Sequence, residues 1–293
     1  MIIIVDKPPA MTSHQVVAKI RHAFPRKIKI GHTGTLDPIC TGVLPILTDA
    51  DTTLSDLLPS DKSYRASFLL GLKTDTQDIT GTVLSRQNTD IPLTSVEEAL
   101  MYFRGKIMQI PPMYSAVKVN GEKLYKLARE GKTIERKPRQ IEIYSAELCG
   151  YDEQKGYYID VSCSKGTYIR TLCSDIGDYL GVGACMTSLR RTASNGFYEK
   201  DAHSLDEVIS FAEKGSLSDI SVDSEIPFMD LNEVVLPSDG AKYYLNGGII
   251  GNTRVKEEMS IGAQYRVKSP DGCFLGLGVC TELGLKSIWL RYR

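Results

Sequence analysis

No stretch of the chain approaches the ~20 consecutive apolar residues that a helical membrane span requires. The apolar start Met1–Val5 (MIIIV) is too short for a secretory leader and lacks its basic flank. It reads instead as a buried first strand of a cytoplasmic protein. Metal-ligand spacing is missing too. His14, His22, His32 and His203 share no ligand spacing, and the seven cysteines form no Cys-x-x-Cys pair. An odd, scattered set of thiols argues against a zinc site or a disulfide framework, and for a reducing compartment. Neither a metal nor an organic cofactor is expected. Internal repeats and low-complexity tracts are also lacking. What is present, 42% hydrophobic and 24% charged residues over 293, suits one large domain with a small appendage, or two comparable ones.

The net charge of only −1 does not point to nucleic acid, but its distribution does. Lys7 to Leu36 holds six basic residues and no acidic one, and Arg104 to Arg139 holds ten basic residues against three acidic ones. Either run alone is what a solvated helix face gives. Two such runs in a near-neutral chain point to a polyanion held on one side, RNA being the natural partner.

Thr12-Ser13 is positioned to cap a helix carrying Val16, Val17, Ile20 and Phe24 at helical spacing. Tyr64 to Leu72, Ile141 to Leu148 and Tyr157 to Ser164 read as strands. Thr94 with Glu97 reads as a capping box opening a helix to Phe103, and Ser204 with Glu207 opens another. A further helix is expected from about Tyr168 to Leu180, ending at Gly181. Asp75 and Asp78 in the turn 73–81 lack the alternating carboxylates and terminal Glu of a calcium loop.

Residues 106–139 are polar and basic, with Pro111-Pro112, an Asn120-Gly121 turn and a helical pattern from Lys123 to Arg129. They read as an excursion from the core, with Tyr114 and Tyr125 interleaved for gripping nucleic acid. Ten acidic residues against two lysines between Lys200 and Asp239 place a change of domain near residue 230. From residue 231 to 293, strands at Tyr265 to Lys268, Phe274 to Val279 and Ser287 to Tyr292 suggest a small barrel-like module, with Pro270-Asp271-Gly272 as a turn.

The most informative segment is Gly31 to Pro45, GHTGTLDPICTGVLP. Glycine and proline punctuate it every few residues, so it is expected to form a shaped loop instead of regular helix or strand. Asp37 is its single carboxylate. Spacing alone leaves two uses open for Asp37: capping the turn before Pro38, or chemistry.

GHTGTLDP followed by TGVLPI resembles the catalytic motif of TruB-type tRNA pseudouridine synthases. Further matches are Asp6-Lys-Pro-Pro-Ala-Met-Thr-Ser13, Asp61-Lys-Ser-Tyr-Arg65, Pro111-Pro-Met-Tyr-Ser-Ala116, Cys163-Ser-Lys-Gly-Thr-Tyr-Ile-Arg-Thr171 and Ser188-Leu-Arg-Arg191. They extend to about residue 230. Two departures stand out. Ala10 replaces the family's usual glycine, and alanine tolerates a φ > 0 turn poorly. LTDADTT after Pro45 replaces a pattern with glycine and a nearby lysine, so no phosphate contact is expected there.

The resemblance implies an α+β fold: a mixed, mainly antiparallel sheet with flanking helices and loops in residues 1–230, followed by a PUA-like RNA-binding module in 231–293. It implies isomerisation of the T-loop uridine at tRNA position 55 after the base is flipped out. Asp37 would be the nucleophile, Arg170 the cation that keeps it ionised, and Tyr64 the residue that stacks on the base and relays a proton. Tyr168 and Leu189 would line the uracil pocket, His32 would enter the space vacated by the base, and Lys7 would meet phosphate or support the Asp37 loop. Lys118, Lys123, Lys126, Arg129 and Lys132 of the basic insertion would hold the RNA backbone. The expected partner is the tRNA T-stem-loop, with the chain acting as a monomer and needing no protein partner. An RNA-folding chaperone without chemistry, or a synthase for another RNA, are the competing classes. A pure binder gains nothing from a carboxylate aimed at phosphate, which favours the enzyme.

Overall fold

Residues 1–119, 121–251, 254–255 and 257–291 are described by the computed structural model. The apolar start forms β1 (Ile2–Lys7). Helix α1 (Ser13–Ala23) opens on a reciprocal capping box, in which the Thr12 hydroxyl accepts from the Gln15 amide and the Gln15 side chain accepts from the Thr12 amide. Next come β2 (Ile30–His32), β3 (Thr41–Thr48), β4 (Lys62–Leu70), β5 (Leu72–Thr74), β6 (Val83–Arg86), α2 (Leu93–Tyr102) and β7 (Gly105–Gln109). The basic excursion carries β8 (Lys118–Val119), β9 (Glu122–Lys123) and α3 (Leu124–Arg129). The chain returns through β10 (Arg139–Asp152), β11 (Gly156–Cys163), α4 (Ile169–Tyr179) and β12 (Ala184–Ser194), then β13 (Phe197–Tyr198), β14 (His203–Ser204) and α5 (Leu205–Glu213). Last are β15 (Glu233–Val235), α6 (Ser238–Leu245), β16 (Gln264–Lys268), β17 (Phe274–Thr281) and β18 (Gly284–Leu290).

Ten strands make one sheet in the order β14-β1-β3-β12-β4-β11-β10-β7, with β2 on β3 and β13 on β12. Only the β1–β14 and β3–β12 pairs are parallel. The two halves of this sheet are built from different sequence patterns. Ile2, Ile3, Ile4 and Val5 are all fully buried because both faces of β1 are covered. Ile3 and Val5 pack with α1 and α5, while Ile2 and Ile4 pack with Phe274, Leu277 and Trp289 of the C-terminal sheet. In β4, by contrast, Tyr64, Ala66 and Phe68 point into the core with α2 and α4, while Ser63, Arg65 and Ser67 alternate to the opposite face. The C-terminal strands form an open sheet, β15-β16-β17-β18.

Several expectations are corrected. The Gly31–Pro45 segment is not wholly loop, since its ends belong to β2 and β3. Pro45 is tolerated inside β3 because its carbonyl accepts from Thr33 on the side away from β1, so its missing N–H removes no bond to β1. Helix α2 starts from Pro92 with no side-chain cap, so Thr94 and Glu97 form no capping box. Ala10 does adopt the positive-φ turn, at φ 60. The excursion is shorter than expected, because β7 already pairs with β10 in the main sheet. Asn120 of the expected turn and Tyr292 of the last expected strand lie outside the described residues. No helix among the described residues is long and apolar enough to cross a membrane.

Candidate active site

The loop between β2 and β3 brings Asp37 over the N-terminus of α4. Arg170, in the first turn of that helix, is 5% exposed, and its Nη2 lies 3.0 Å from Asp37 Oδ2. The same nitrogen donates to the Tyr114 carbonyl at 2.6 Å, tying the root of the basic excursion to the pair. Nη1 of Arg170 faces Asp78 Oδ2 at 3.5 Å. One guanidinium thus serves two carboxylates. Asp78 is buried and its other oxygen accepts from the Thr76 hydroxyl and the Thr80 amide. The side chain of Asp37, in contrast, is 36% exposed, so a ligand can reach it.

Arg170 pulls the Asp37 pKa down, as expected of a close cation, but it is not the largest influence. Burial pushes the Asp37 carboxyl above the ordinary carboxylate range, and Asp78 adds to the rise. Arg170, with Lys7 behind it, opposes burial without overcoming it. Asp37 is therefore a carboxyl whose charged form burial and Asp78 disfavour and whose nearest support is Arg170.

Tyr64 and Leu189 sit on neighbouring strands β4 and β12, in one buried cluster with Leu36 of the Asp37 loop. Burial raises the Tyr64 hydroxyl to about 12, against the pull of Arg191, its cross-strand partner. The hydroxyl thus stays protonated at neutral pH. Tyr168 is the N-cap residue of α4, with its ring centroid 6.0 Å from the Arg170 guanidinium. Its backbone is clamped by the buried Gln109 amide, which accepts from Tyr168 N at 2.8 Å and donates to Tyr168 O at 3.1 Å. His32 ends β2, half-buried, its Nδ1 without a partner; burial first, then Arg191 and His14, lower its pKa.

Lys7 has no exposed surface to offer phosphate. Its ammonium donates to the carbonyls of Pro8 at 2.8 Å, Met11 at 2.5 Å and Pro38 at 3.4 Å, so it supports the Asp37 loop from beneath. The excursion is joined to the site through the Tyr114 carbonyl, which accepts from Arg170. Lys118, Lys126, Arg129 and Lys132 are exposed, and Lys123 is half-buried. Lys132 pairs with Glu130 at 2.8 Å. Lys123 and Arg129 both lie over the Tyr125 ring, at 5.6 and 5.5 Å, so that ring is already occupied by cations. Among the described residues no group of three or more His, Cys, Asp or Glu side chains could hold a metal.

Asp78, Gln109, Arg191 and Asn195 were not legible as site residues. Asp78 drew notice only as a rejected calcium ligand, and its flanking Thr76 and Thr80 were the remaining signal. Asn195, buried at φ 59, accepts from the Thr33 hydroxyl at 2.6 Å and donates to the Pro59 carbonyl at 2.7 Å, fixing the loop next to His32.

The model of the TruB family pseudouridylate synthase N-terminal domain matches residues 21–169, and that of the tRNA pseudouridylate synthase B C-terminal domain matches 170–241. A protein named tRNA pseudouridine synthase B from Alkaliphilus oremlandii is 45% identical over 248 residues, 83% of this chain and 80% of the relative. One of the same name from Clostridium novyi is 41% identical over 285 residues, 96% of each chain. Among solved structures, a chain of a Cbf5-Nop10-Gar1 complex superposes with a TM-score of 0.74 at 26% identity, covering 100% of this chain and 83% of that one.

Proposed function

The chain belongs to the TruB family of pseudouridylate synthases and is an isomerase acting on tRNA; from that premise we propose that it converts the uridine at position 55 of the T-loop to pseudouridine. The observation that carries this reading is the 3.0 Å pair of buried Arg170 with part-exposed Asp37. A nucleotide can reach that carboxylate, and the guanidinium beside it favours its charged form.

In this reading the target uridine leaves its stack at a cost of a few kcal/mol. Tyr64 and Leu189 receive the base, Tyr168 flanks it, and His32 occupies the space left in the RNA. Asp37 attacks the anomeric carbon. The bond from that carbon to nitrogen 1 breaks, and its electron pair stays on the uracil. Uracil turns, carbon 5 bonds to the anomeric carbon, and the carboxylate leaves with its electron pair. Carbon 5 then loses its proton and nitrogen 1 gains one, so no net proton is consumed. Addition of Asp37 to the uracil ring is the alternative route to the same product. Tyr64, protonated at neutral pH, passes a proton along this path without standing as a ready base. Lys118, Lys123, Lys126, Arg129 and Lys132 hold the stem backbone, which positions the RNA without reading its sequence. The C-terminal sheet acts as the PUA-like module. A cytoplasmic monomer needing neither cofactor nor protein partner completes the reading.

The test is incubation of the purified chain with a T-stem-loop RNA and a chelator, followed by carbodiimide-stop primer extension. A stop at the position-55 uridine is expected. Binding without any stop would replace this reading with that of a non-catalytic tRNA binder, and a stop at another uridine would change the target.

A further inference from the structure

Two cations beside the Asp37 loop, Arg191 and Lys62, form no ion pair with a carboxylate among the described residues, Asp61 acting on Lys62 only at longer range. Arg191 is fully buried. Its Nε donates to the Val43 carbonyl at 2.7 Å and its Nη2 to the Gly34 carbonyl at 3.1 Å, the Tyr64 hydroxyl lies close enough to interact with the guanidinium, and Nη1 makes no well-formed hydrogen bond. No carboxylate among the described residues forms an ion pair with it. Lys62 is half-buried at the start of β4, and burial, Arg191 and Lys165 all push its ammonium pKa down. The neighbouring carboxylate, Asp61, accepts instead from the Tyr144 hydroxyl at 2.9 Å. Asp37 is committed to Arg170. Unpaired charges gathered in a partly desolvated place are expensive to hold.

Gly34 marks where these cations converge. Its φ lies outside the left-handed region, so its backbone does not demand glycine. Space does. A Cβ there would lie 3.3 Å from Lys62 Cε, 3.5 Å from Arg191 Nη1 and 3.7 Å from Lys62 Nζ. The three residues also frame the base pocket: Gly34 lies between His32 and Asp37, Lys62 is two residues before Tyr64, and Arg191 is two after Leu189.

We propose that Lys62, Arg191 and Gly34 form a subsite for one phosphodiester of the RNA strand beside the target nucleotide. Lys62 contacts the phosphate directly, Arg191 supports it with charge from beneath, and Gly34 leaves the room. The exposed Lys165 lies on the same side and lengthens the approach. This assignment rests on the reading that RNA binds at the Asp37 loop, and it names which charge of that RNA the pocket takes.

A set of T-stem-loop RNAs, each with a single uncharged methylphosphonate linkage, tests it by equilibrium binding in an Asp37→Asn background. Lys62→Met is expected to weaken binding of unmodified RNA about tenfold and to reduce the salt slope by about one contact. One neutral linkage next to the target uridine should cost the Lys62 protein a similar factor and cost Lys62→Met nothing further. Lys62→Arg should restore the sensitivity to that linkage. Gly34→Ala, which fills the space without altering charge, should reproduce the loss with an unchanged circular dichroism spectrum. Unaltered affinity of Lys62→Met, or losses that add fully at every linkage, would overturn the assignment. Product formation is measured separately with Asp37 restored. A chain that makes no pseudouridine yet keeps the Lys62–linkage coupling refutes the proposed reaction and leaves the subsite standing.

Discussion

Arg170 bridges two carboxylates of unequal standing: Asp78 sealed in the protein, Asp37 facing outward. A lysine has one compact charge and cannot reproduce a planar fork that spans both. Arg170→Lys is therefore expected to lower kcat on the order of a hundredfold, the scale of a misplacement by about 1 Å, with little change in RNA affinity; single-turnover and binding assays together check this. Asp37 itself carries a pH signature. Its folded pKa is raised, so the folded state binds the proton more tightly than the unfolded one does. Its contribution favours folding at low pH and is lost as pH rises through the folded pKa. Asp37→Asn should consequently melt above the parent at pH 7, with the difference shrinking as pH falls through the raised folded pKa and gone below the ordinary carboxylate range. The same shift predicts that activity fades on acidification at a higher pH than an unperturbed carboxylate would give, read from a pH–rate profile. Asp37 and Arg170 stood out in the chain because motifs surround them. Asp78 did not, because the arginine that gives it meaning lies 92 residues away.

Among the elements, β1 and β4 were legible from their apolar patterns, whereas β3, buried along almost its whole length, read as loop because Gly42 and Pro45 punctuate it. Alternation in β4 and the unbroken apolar run of β1 each report how many faces are covered. The turn at Ala10 was not legible, because neighbouring structure overrides a local preference. A left-handed alanine costs roughly 1–2 kcal/mol, partly offset by the greater unfolded freedom of glycine. Ala10→Gly is thus expected to stabilise the protein by about 0.5 kcal/mol, measurable by denaturant titration. The excursion gives a prediction at the same scale. Replacing exposed Lys118, Lys126 and Arg129 by alanine should weaken tRNA binding and flatten its salt dependence by up to about three contacts, leaving the melting temperature unchanged. Leu124 and Leu127, buried under α3, hold that helix without help from the cations.

At the scale of the whole molecule, the residues after the composition break near 230 bury a cluster of their own, with Val234, Leu236, Tyr244, Val267 and Leu285 at its centre, and a second cluster ties them to the start of the chain. Phe274, Leu277 and Trp289 pack with Ile2, Ile4, Val43 and Leu47 of the first strands. No local pattern announces this, because the contact joins the two ends of the chain. Cooperative unfolding is expected: fluorescence of Trp289, the single tryptophan, and far-ultraviolet circular dichroism should give coincident transitions. Two separated transitions would mean that the shared packing is too weak to couple the sheets. Lys7 offers a different kind of readout. Its amine is shut beneath the Asp37 loop by three carbonyls, one of them from the loop itself. An acylating reagent that labels surface lysines at once must wait for that loop to lift before it reaches this one. The labelling rate of Lys7, followed by mass spectrometry, is thus a clock for how often the Asp37 loop lifts, and bound RNA is expected to slow it.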